Sequence, residues 1–401
     1  MRLVLLAWRY LWARPLVAAL NLALLALGVA AMTFVVSVSQ QVERSVQRDL
    51  AGIDLVVGAK GSPLQLILAG VFHLDVPTGN IPLDAVKTLR EHPLVERVVP
   101  ISLGDSLSGY RIVGSTLQYP ALYGAQLAQG AYWTDQLQAV LGADVAADTG
   151  LKIGDAFTGT HGLGASGEAH GDTPYRVTGR LARCGCVLDR LVLTDLQSVW
   201  AVHETMMATD DEDKKLLEAE REVTLLLVGY RSPLAAISVP RWVNAQDGLQ
   251  AAAPALESAR LLRMVGAGTD VLQGFGAVLL LSAAASVFVG LVHAVRERES
   301  DLAMLRMLGA PPHRVAALVF AEALWLALLG AALGLLLGHA LSGLLGWELA
   351  RRRSLHVSAG WWSVEQAWII GATLALALLA AALPAWRALR LDVSRLMQAP
   401  R

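Results

Sequence analysis

The sequence predicts an α-helical membrane protein with four transmembrane helices, arranged one plus three, and a large mixed α/β extracytoplasmic domain on a helical stalk. Three observations carry this prediction. Hydrophobic residues make up 55% of the 401, charged residues only 17%, and mean hydropathy is +0.49. An ordinary soluble domain is about 45–50% apolar and roughly 25% charged, so the excess is more than a soluble core hides. The excess is also gathered into four charge-poor runs, and a polar stretch of mixed sign, residues 43–270, separates the first run from the other three. That stretch is far too long for a loop. A formal net charge of −1 gives no basic face for nucleic acid, and two cysteines exclude a disulfide scaffold.

Residues 15–42 carry no charged side chain. A span takes about 20 apolar residues for a hydrocarbon layer of roughly 30 Å. Backbone hydrogen bonds must close internally in lipid, so the run is a helix. Arg2, Arg9 and Arg14 ahead of it, and the small-x-small string Ser37-Val38-Ser39, resemble a signal peptide. The apolar stretch exceeds the roughly 7–15 residues of an h-region, so an uncleaved anchor is expected.

The inserted stretch alternates strand and helix patterns. Residues 53–57, 95–103, 110–114, 175–181, 188–193 and 223–228 read as strands. Residues 83–90 and 195–204 read as helices, the latter with Asp195 at its N-cap. Residues 209–222 are charged all round and read as a solvated helix or loop. At the two ends, 39–50 and 249–264 are helix-competent and are expected to extend the adjoining spans as a stalk.

The remaining runs are 271–295, 315–347 and 366–386. Only Glu322 and His339 interrupt 315–347, the third run of the four. Lys and Arg in short flanks set orientation. Arg2, Arg9 and Arg14, then Arg296, Arg298, Arg306 and Arg314, then Arg387, Arg390, Arg395 and Arg401 all fall on one side, and they outnumber Arg351–Arg353 on the other. Both termini are therefore expected in the cytoplasm and residues 43–270 outside. The domain plan is 1–42, 43–270 and 271–401.

Residues 296–314 (RERESDLAMLRMLGAPPHR) read as a short amphipathic helix, ended by Gly309 and blocked by Pro311-Pro312. It can lie on lipid or serve as a knob for a cytoplasmic partner. Here the chain resembles a family. The RERE turn, the helix ending LRMLGA and the span containing EALWLALLGAALGLLLG are similar to the FtsX/MacB-like permeases of ABC transporters. LPAWRALRLDVSRLMQ (383–398) resembles the end of that permease module. TGLKIGDAFTG (149–159) and YRVTGRLARCGCVLDRLVLTDLQSVW (175–200) resemble its periplasmic core domain.

The resemblance implies a bacterial inner-membrane permease subunit that works as a dimer with a second copy, identical or homologous. A separate cytoplasmic ABC ATPase holds the ATP and Mg, and a periplasmic adaptor or substrate protein is a further implied partner. It implies that a coupling helix at 296–310 docks on the ATPase, with Arg296, Glu297, Arg298, Glu299, Leu302, Leu305, Arg306 and Leu308 as contacts. Motion of the outer domain then moves or extracts a lipoprotein, peptide or similar envelope substrate. Consistently, no G-x-x-x-x-G-K-[ST] phosphate loop occurs, so the chain itself is expected not to hydrolyse ATP. A non-transporting regulator of a cell-envelope enzyme shares the layout. A secondary carrier would need inverted repeats and broken helices, which four spans do not offer.

Glu322 and His339 inside the third run read as groups turned into the helix bundle, since a central charge costs about 2.5–3.5 kcal/mol on insertion scales. His161, His170, Cys184, Cys186 and His203 are residue types that zinc prefers, but their spacing is generic, and surface histidines with two cysteines free or oxidised fit as well. No nucleophile elbow is present, and no cofactor beyond zinc is indicated.

Overall fold

In the computed structural model the described residues are 2–160, 173–207, 217–218, 220–351 and 357–390. They gather into two compact units, Met1–Val42 with Met264–Arg401, and Glu43–Arg263. Two helices open the chain. Helix α1 (Arg2–Trp12) buries Ala7 and Leu11 and exposes Val4, Leu5 and Trp12. Hydropathy alone does not separate it from the first span. Pro15 does, because proline restricts the residue before it yet suits the first position of the next helix, α2 (Pro15–Asp49).

The α/β unit follows. In chain order it holds β1 (Leu55–Ala59), α3 (Pro63–Gly70), β2 (Ile81–Pro82), α4 (Asp84–Arg90), β3 (Val95–Leu107), β4 (Tyr110–Ser115) and α5 (Gln118–Leu122). Then come β5 (Leu127–Gly130), β6 (Gln138–Leu141), α6 (Ala143–Thr149), β7 (Ala156–Phe157), β8 (Tyr175–Leu181), β9 (Leu191–Asp195) and α7 (Leu196–Met207). The last are β10 (Glu222–Val223), β11 (Leu225–Tyr230), α8 (Ala235–Asn244) and β12 (Leu249–Ala252).

The main sheet runs β12-β1-β11-β3-β4-β9-β6-β8-β5, with β7 on β8 and a separate β2–β10 ribbon. Pairs β4/β9 and β6/β8 are parallel, and the other pairs are antiparallel. Central β4 is buried at every position, as a strand covered on both faces must be. One core joins β1, β3 and β11 to α4 and α8 through Leu89, Val98, Leu226 and Val239. A second joins β6, β8 and β9 to α6 and α7 through Leu141, Val145, Val177 and Val202. Asp195 does accept the Gln197 N–H at 2.8 Å, closing the start of α7.

One sequence expectation is corrected here. Residues 249–252 are a strand rather than the start of a long helix. They pair with β1, and the Ala251 N–H donates to Asn244 Oδ1 at 2.8 Å. An Ala/Leu run is compatible with either state, and the pairing surface of β1 decides it. The helix begins only at Pro254, where a missing N–H costs nothing.

The remaining helices are α9 (Pro254–Glu297), α10 (Glu299–Met307), α11 (Pro312–Arg351) and α12 (Val364–Leu389). Among the described residues, four helices are long and apolar enough to cross a membrane: Pro15–Asp49, Pro254–Glu297, Pro312–Leu349 and Val364–Leu389. In this helical unit α11 receives α2 along a glycine stripe. A Cβ at Gly330 would meet Leu25 Cβ at 2.7 Å, one at Gly334 would meet Val29 Cβ at 2.5 Å, and one at Gly338 would meet Thr33 Cβ at 2.7 Å. Spacing of four residues puts all three on one face, where the backbones can approach closely. Val357 and Ala359 lie against Gly346 and Gly343 of α11, and Gln41 of α2 holds this segment by accepting the Ser358 N–H at 2.8 Å and donating to Ser358 O at 3.2 Å.

Candidate functional site

The short helix α10 is the best-defined candidate site. Arg298 caps its start, and Glu299 and Asp301 fill the first turn, where carboxylates complement the helix dipole. Its end is closed by two back-bonds, Gly309 N–H to Arg306 O and Ala310 N–H to Leu305 O, both 3.1 Å. Gly309 takes φ +93°, a value glycine reaches without penalty.

The helix has two apolar stripes rather than one. Leu302 is buried in a core shared with Ala7, Leu11, Val295, Val315 and Val319, half-buried Leu305 packs against it, and Ala303 is buried beside them in the helix. Met304, Met307 and Leu308 form the opposite stripe and are 54%, 54% and 81% exposed.

Below α10 lies a buried ion pair. Arg298 donates through Nη1 to Glu322 Oε1 at 2.9 Å and through Nη2 to Tyr10 O at 2.7 Å, with its guanidinium 4.4 Å from the Tyr10 ring centroid. Glu297 pairs with Arg14. A cavity of about 40 Å³ beside them is lined by Tyr10, Arg14, Asn21, Arg298 and Glu322 among others. An arginine suits this position because its planar fork binds a carboxylate and a carbonyl at once. The inner face of α10 is thus tied to α1 and α11, which makes the outer face a rigid platform.

Two of the sequence-named contacts therefore point the wrong way for a partner. Leu302 faces the bundle, and the Arg298 side chain is consumed by Glu322 and Tyr10. Arg296 and Leu308 are exposed, Leu305, Arg306 and Glu299 are intermediate, and Glu297 is held by Arg14. Met304 and Met307 are not among the sequence-named contacts, although their i, i+3, i+4 spacing with Leu308 marks a second stripe. His339 stacks on Trp362 at 5.7 Å between centroids, and neither ring nitrogen has a hydrogen-bond partner among the described residues.

In the α/β unit, Cys184 and Cys186 are joined to each other by a disulfide. In this state the two cysteines leave the zinc set, because a cystine offers no thiolate to a metal. His161 and His170 lie outside the described residues, and His203 falls on α7. Among the described residues no group of three His, Cys, Asp or Glu side chains could hold a metal ion.

The disulfide turn sits in a buried polar cluster. The Asp189 carboxylate accepts the Cys184 and Gly185 N–H groups at 3.0 and 2.7 Å, and Asp49 Oδ1 accepts the Val187 N–H at 2.9 Å. Nearby, His73 Nε2 bonds the Tyr119 hydroxyl at 2.8 Å. Burial, and then the positive charges of Arg111 and Arg190, hold His73 well below the usual imidazole range, so it is neutral.

Four apolar helices, an α/β domain inserted after the first, and a braced amphipathic helix between the second and third define the class of a membrane transport permease. Residues 18–224 match the MacB-like periplasmic core domain, and residues 274–393 match the FtsX-like permease C-terminal module. The chain belongs to this MacB/FtsX-type family of ABC transporter permeases. It is similar to the pyoverdine export ATP-binding/permease protein PvdT of Pseudomonas entomophila, 27% identical over 188 residues, which are 45% of this chain and 27% of that protein. The same-named protein of Pseudomonas putida is 25% identical over 188 residues, with the same coverage. The match spans about a quarter of the length of these relatives. Among solved structures, the periplasmic region of MacB from Actinobacillus actinomycetemcomitans gives a TM-score of 0.35 at 13% identity, covering 54% of this chain and 97% of that one. The extracellular domain of the noncanonic ABC-type transporter YknZ from Gram-positive bacteria gives 0.31 at 14% identity, covering 50% and 98%.

Proposed function

We propose that this chain is the membrane subunit of an ABC transporter, and that a separate ATPase docks on the outer face of α10. In this reading ATP and Mg reside in the ATPase. Closure of the ATPase presses on α10, and the movement reaches α1 and α11 through the Arg298–Glu322–Tyr10 tie. Residues 43–270 lie outside and both termini in the cytoplasm. The domain's motion moves or extracts an envelope substrate such as a lipoprotein or peptide, rather than passing it through a channel. A second copy, identical or homologous, completes the permease, and a periplasmic adaptor or substrate protein is the outer partner.

The observation that carries this reading is the exposed Met304/Met307/Leu308 stripe on a helix whose other face is locked. Methionine and leucine on a rigid ledge suit an apolar groove on a protein partner. The test is co-purification with ABC ATPase subunits of the host, with ATP hydrolysis measured in lipid nanodiscs. A charge at the stripe, Met307→Glu, should lower stimulated hydrolysis by about tenfold or more, the loss of a single hot-spot contact, while leaving the fold intact. Failure of the unmodified chain to associate with any ATPase defeats the reading.

A further inference from the structure

The Cys184–Cys186 disulfide does no work as a staple. It closes a ring around one residue, Gly185, inside the turn between β8 and the 3₁₀ turn Val187–Arg190, and it links no separate elements. The stabilisation a cross-link gives by restricting the unfolded chain grows with the number of residues enclosed, and here that number is minimal. Gly185 takes φ +65°, the left-handed conformation that glycine adopts freely.

The two sulfurs are not equivalent. Cys186 is 6% exposed, whereas Cys184 is only half-buried, so an incoming thiolate reaches Cys184 Sγ. The surroundings suit both redox forms. Cys184 Sγ accepts the Cys186 N–H at 3.2 Å. Asp189, fully buried, holds Oδ1 3.4 Å from the same sulfur, where it can accept an S–H once the ring opens. Arg48 donates to Gly185 O and Asp49 accepts from Val187, so the turn is held in place.

We propose that Cys184–Cys186 is a thiol–disulfide exchange site that accepts two electrons from a dithiol. A thiolate of the dithiol attacks Cys184 Sγ, the Cys184–Cys186 bond breaks, and Cys186 leaves as a thiolate that takes up one proton. The dithiol's second thiolate then attacks its own sulfur in the mixed disulfide. This closes the dithiol's disulfide and releases Cys184, which takes the second proton and donates it in a hydrogen bond to Asp189. The dithiol loses two electrons and two protons, and the two cysteines gain them. The site is independent of which ATPase or cargo the permease serves.

The full-length protein in detergent is incubated with dithiothreitol at neutral pH, quenched in acid and labelled with a maleimide-polyethylene glycol that shifts the band for each free thiol. With denaturant added only at the labelling step, both cysteines should become labelled, at dithiol-to-disulfide ratios that also reduce a thioredoxin-type protein in the same tube. A disulfide that is reduced only when denaturant is present during the dithiothreitol step overturns the proposal. In a second arm, Cys184 in the Cys186→Ser variant should react with dithiobis(nitrobenzoate) at least about tenfold faster than Cys186 in the Cys184→Ser variant, because access sets the rate. Equal or reversed rates overturn it. The Asp189→Asn variant should shift the pH profile of the Cys184 reaction to lower pH by removing a negative neighbour from the thiolate. An unshifted profile removes Asp189 from the site, and the labelling of the unmodified protein still decides the exchange itself.

Discussion

The two units of this chain differ in the size of the side chains they bury most completely. Of the largest fully buried side chains among the described residues, Leu25 alone lies in the helical unit, and the others, Tyr119, Tyr175, Leu55, Ile101 and Leu141 among them, lie in the α/β unit. The helical unit instead buries Ala283, Ala323, Ala327, Ala381 and Thr373, and it exposes Leu16, Leu20, Phe275, Leu281, Leu336 and Leu379. The solvent explains the contrast. In water, burying apolar area drives folding at roughly 25 cal/mol per Å². In lipid a leucine gains nothing by turning inward, so helices associate through small residues that let backbones approach. Polar groups follow the same logic. Among the described residues the helical unit buries the pair Arg298–Glu322, while the α/β unit carries a wider cluster around Asp49, Asp189 and His73.

This contrast can be tested at single positions. The largest effect is expected at the ion pair. Glu322→Leu leaves Arg298 buried without its carboxylate and should cost about 3–5 kcal/mol, whereas combining it with Arg298→Met should recover most of that. Thermal unfolding of the four members of the cycle in detergent measures the coupling. In the α/β unit Leu227→Ala should cost about 2–5 kcal/mol by leaving a cavity in the sheet core, read as a loss of thermal stability.

The mirror experiment enlarges a small residue in the helical unit. Gly334→Leu pushes a side chain into Val29 and Ala26 and should cost about 1–3 kcal/mol, while Gly371→Ala, with nothing within 4 Å of its new methyl, should be neutral or slightly stabilising. Equal responses to both glycine changes would break the comparison. The smallest effect concerns pH. His73 has a folded pKa below its unfolded value of about 6.5, so its contribution is complete above that pH and falls as pH drops below it, by up to ~1.4 kcal/mol per unit. His73→Asn, which tolerates the left-handed φ of +53° there, should flatten acid destabilisation between pH 6.5 and 5.

How much of this was legible can be argued from particular residues. Strands with strong apolar runs were readable to within a few positions: 175–181 coincides with β8, and 95–103 is the first part of β3. Helices α3, α5, α6 and α8 escaped because they are short, and α8 contains Pro240, which a sequence reading takes as a breaker. At the candidate site, the helix and its glycine stop were visible, but the face was not. Leu302, Leu305 and Leu308 look like one stripe until α1 packs beneath Leu302 and leaves Leu308 outside with the two methionines.

Glu322 was conspicuous as a charge in an apolar run, yet its partner, Arg298, sits 24 residues earlier in a turn that read as a partner-facing charge cluster. Sequence by itself determined the four spans, the inserted α/β unit and the position of the short helix between the second and third spans. Each follows from local composition, because hydropathy over some twenty residues and a Gly-Pro-Pro stop act on contiguous chain. Only the tertiary structure decided which way Arg298 and Leu302 point, that residues 249–252 join a sheet, and that Cys184 closes on Cys186 under Asp189. Those outcomes rest on contacts between distant segments, where an ion pair, a free strand edge or a buried carboxylate outweighs what any short stretch prefers alone.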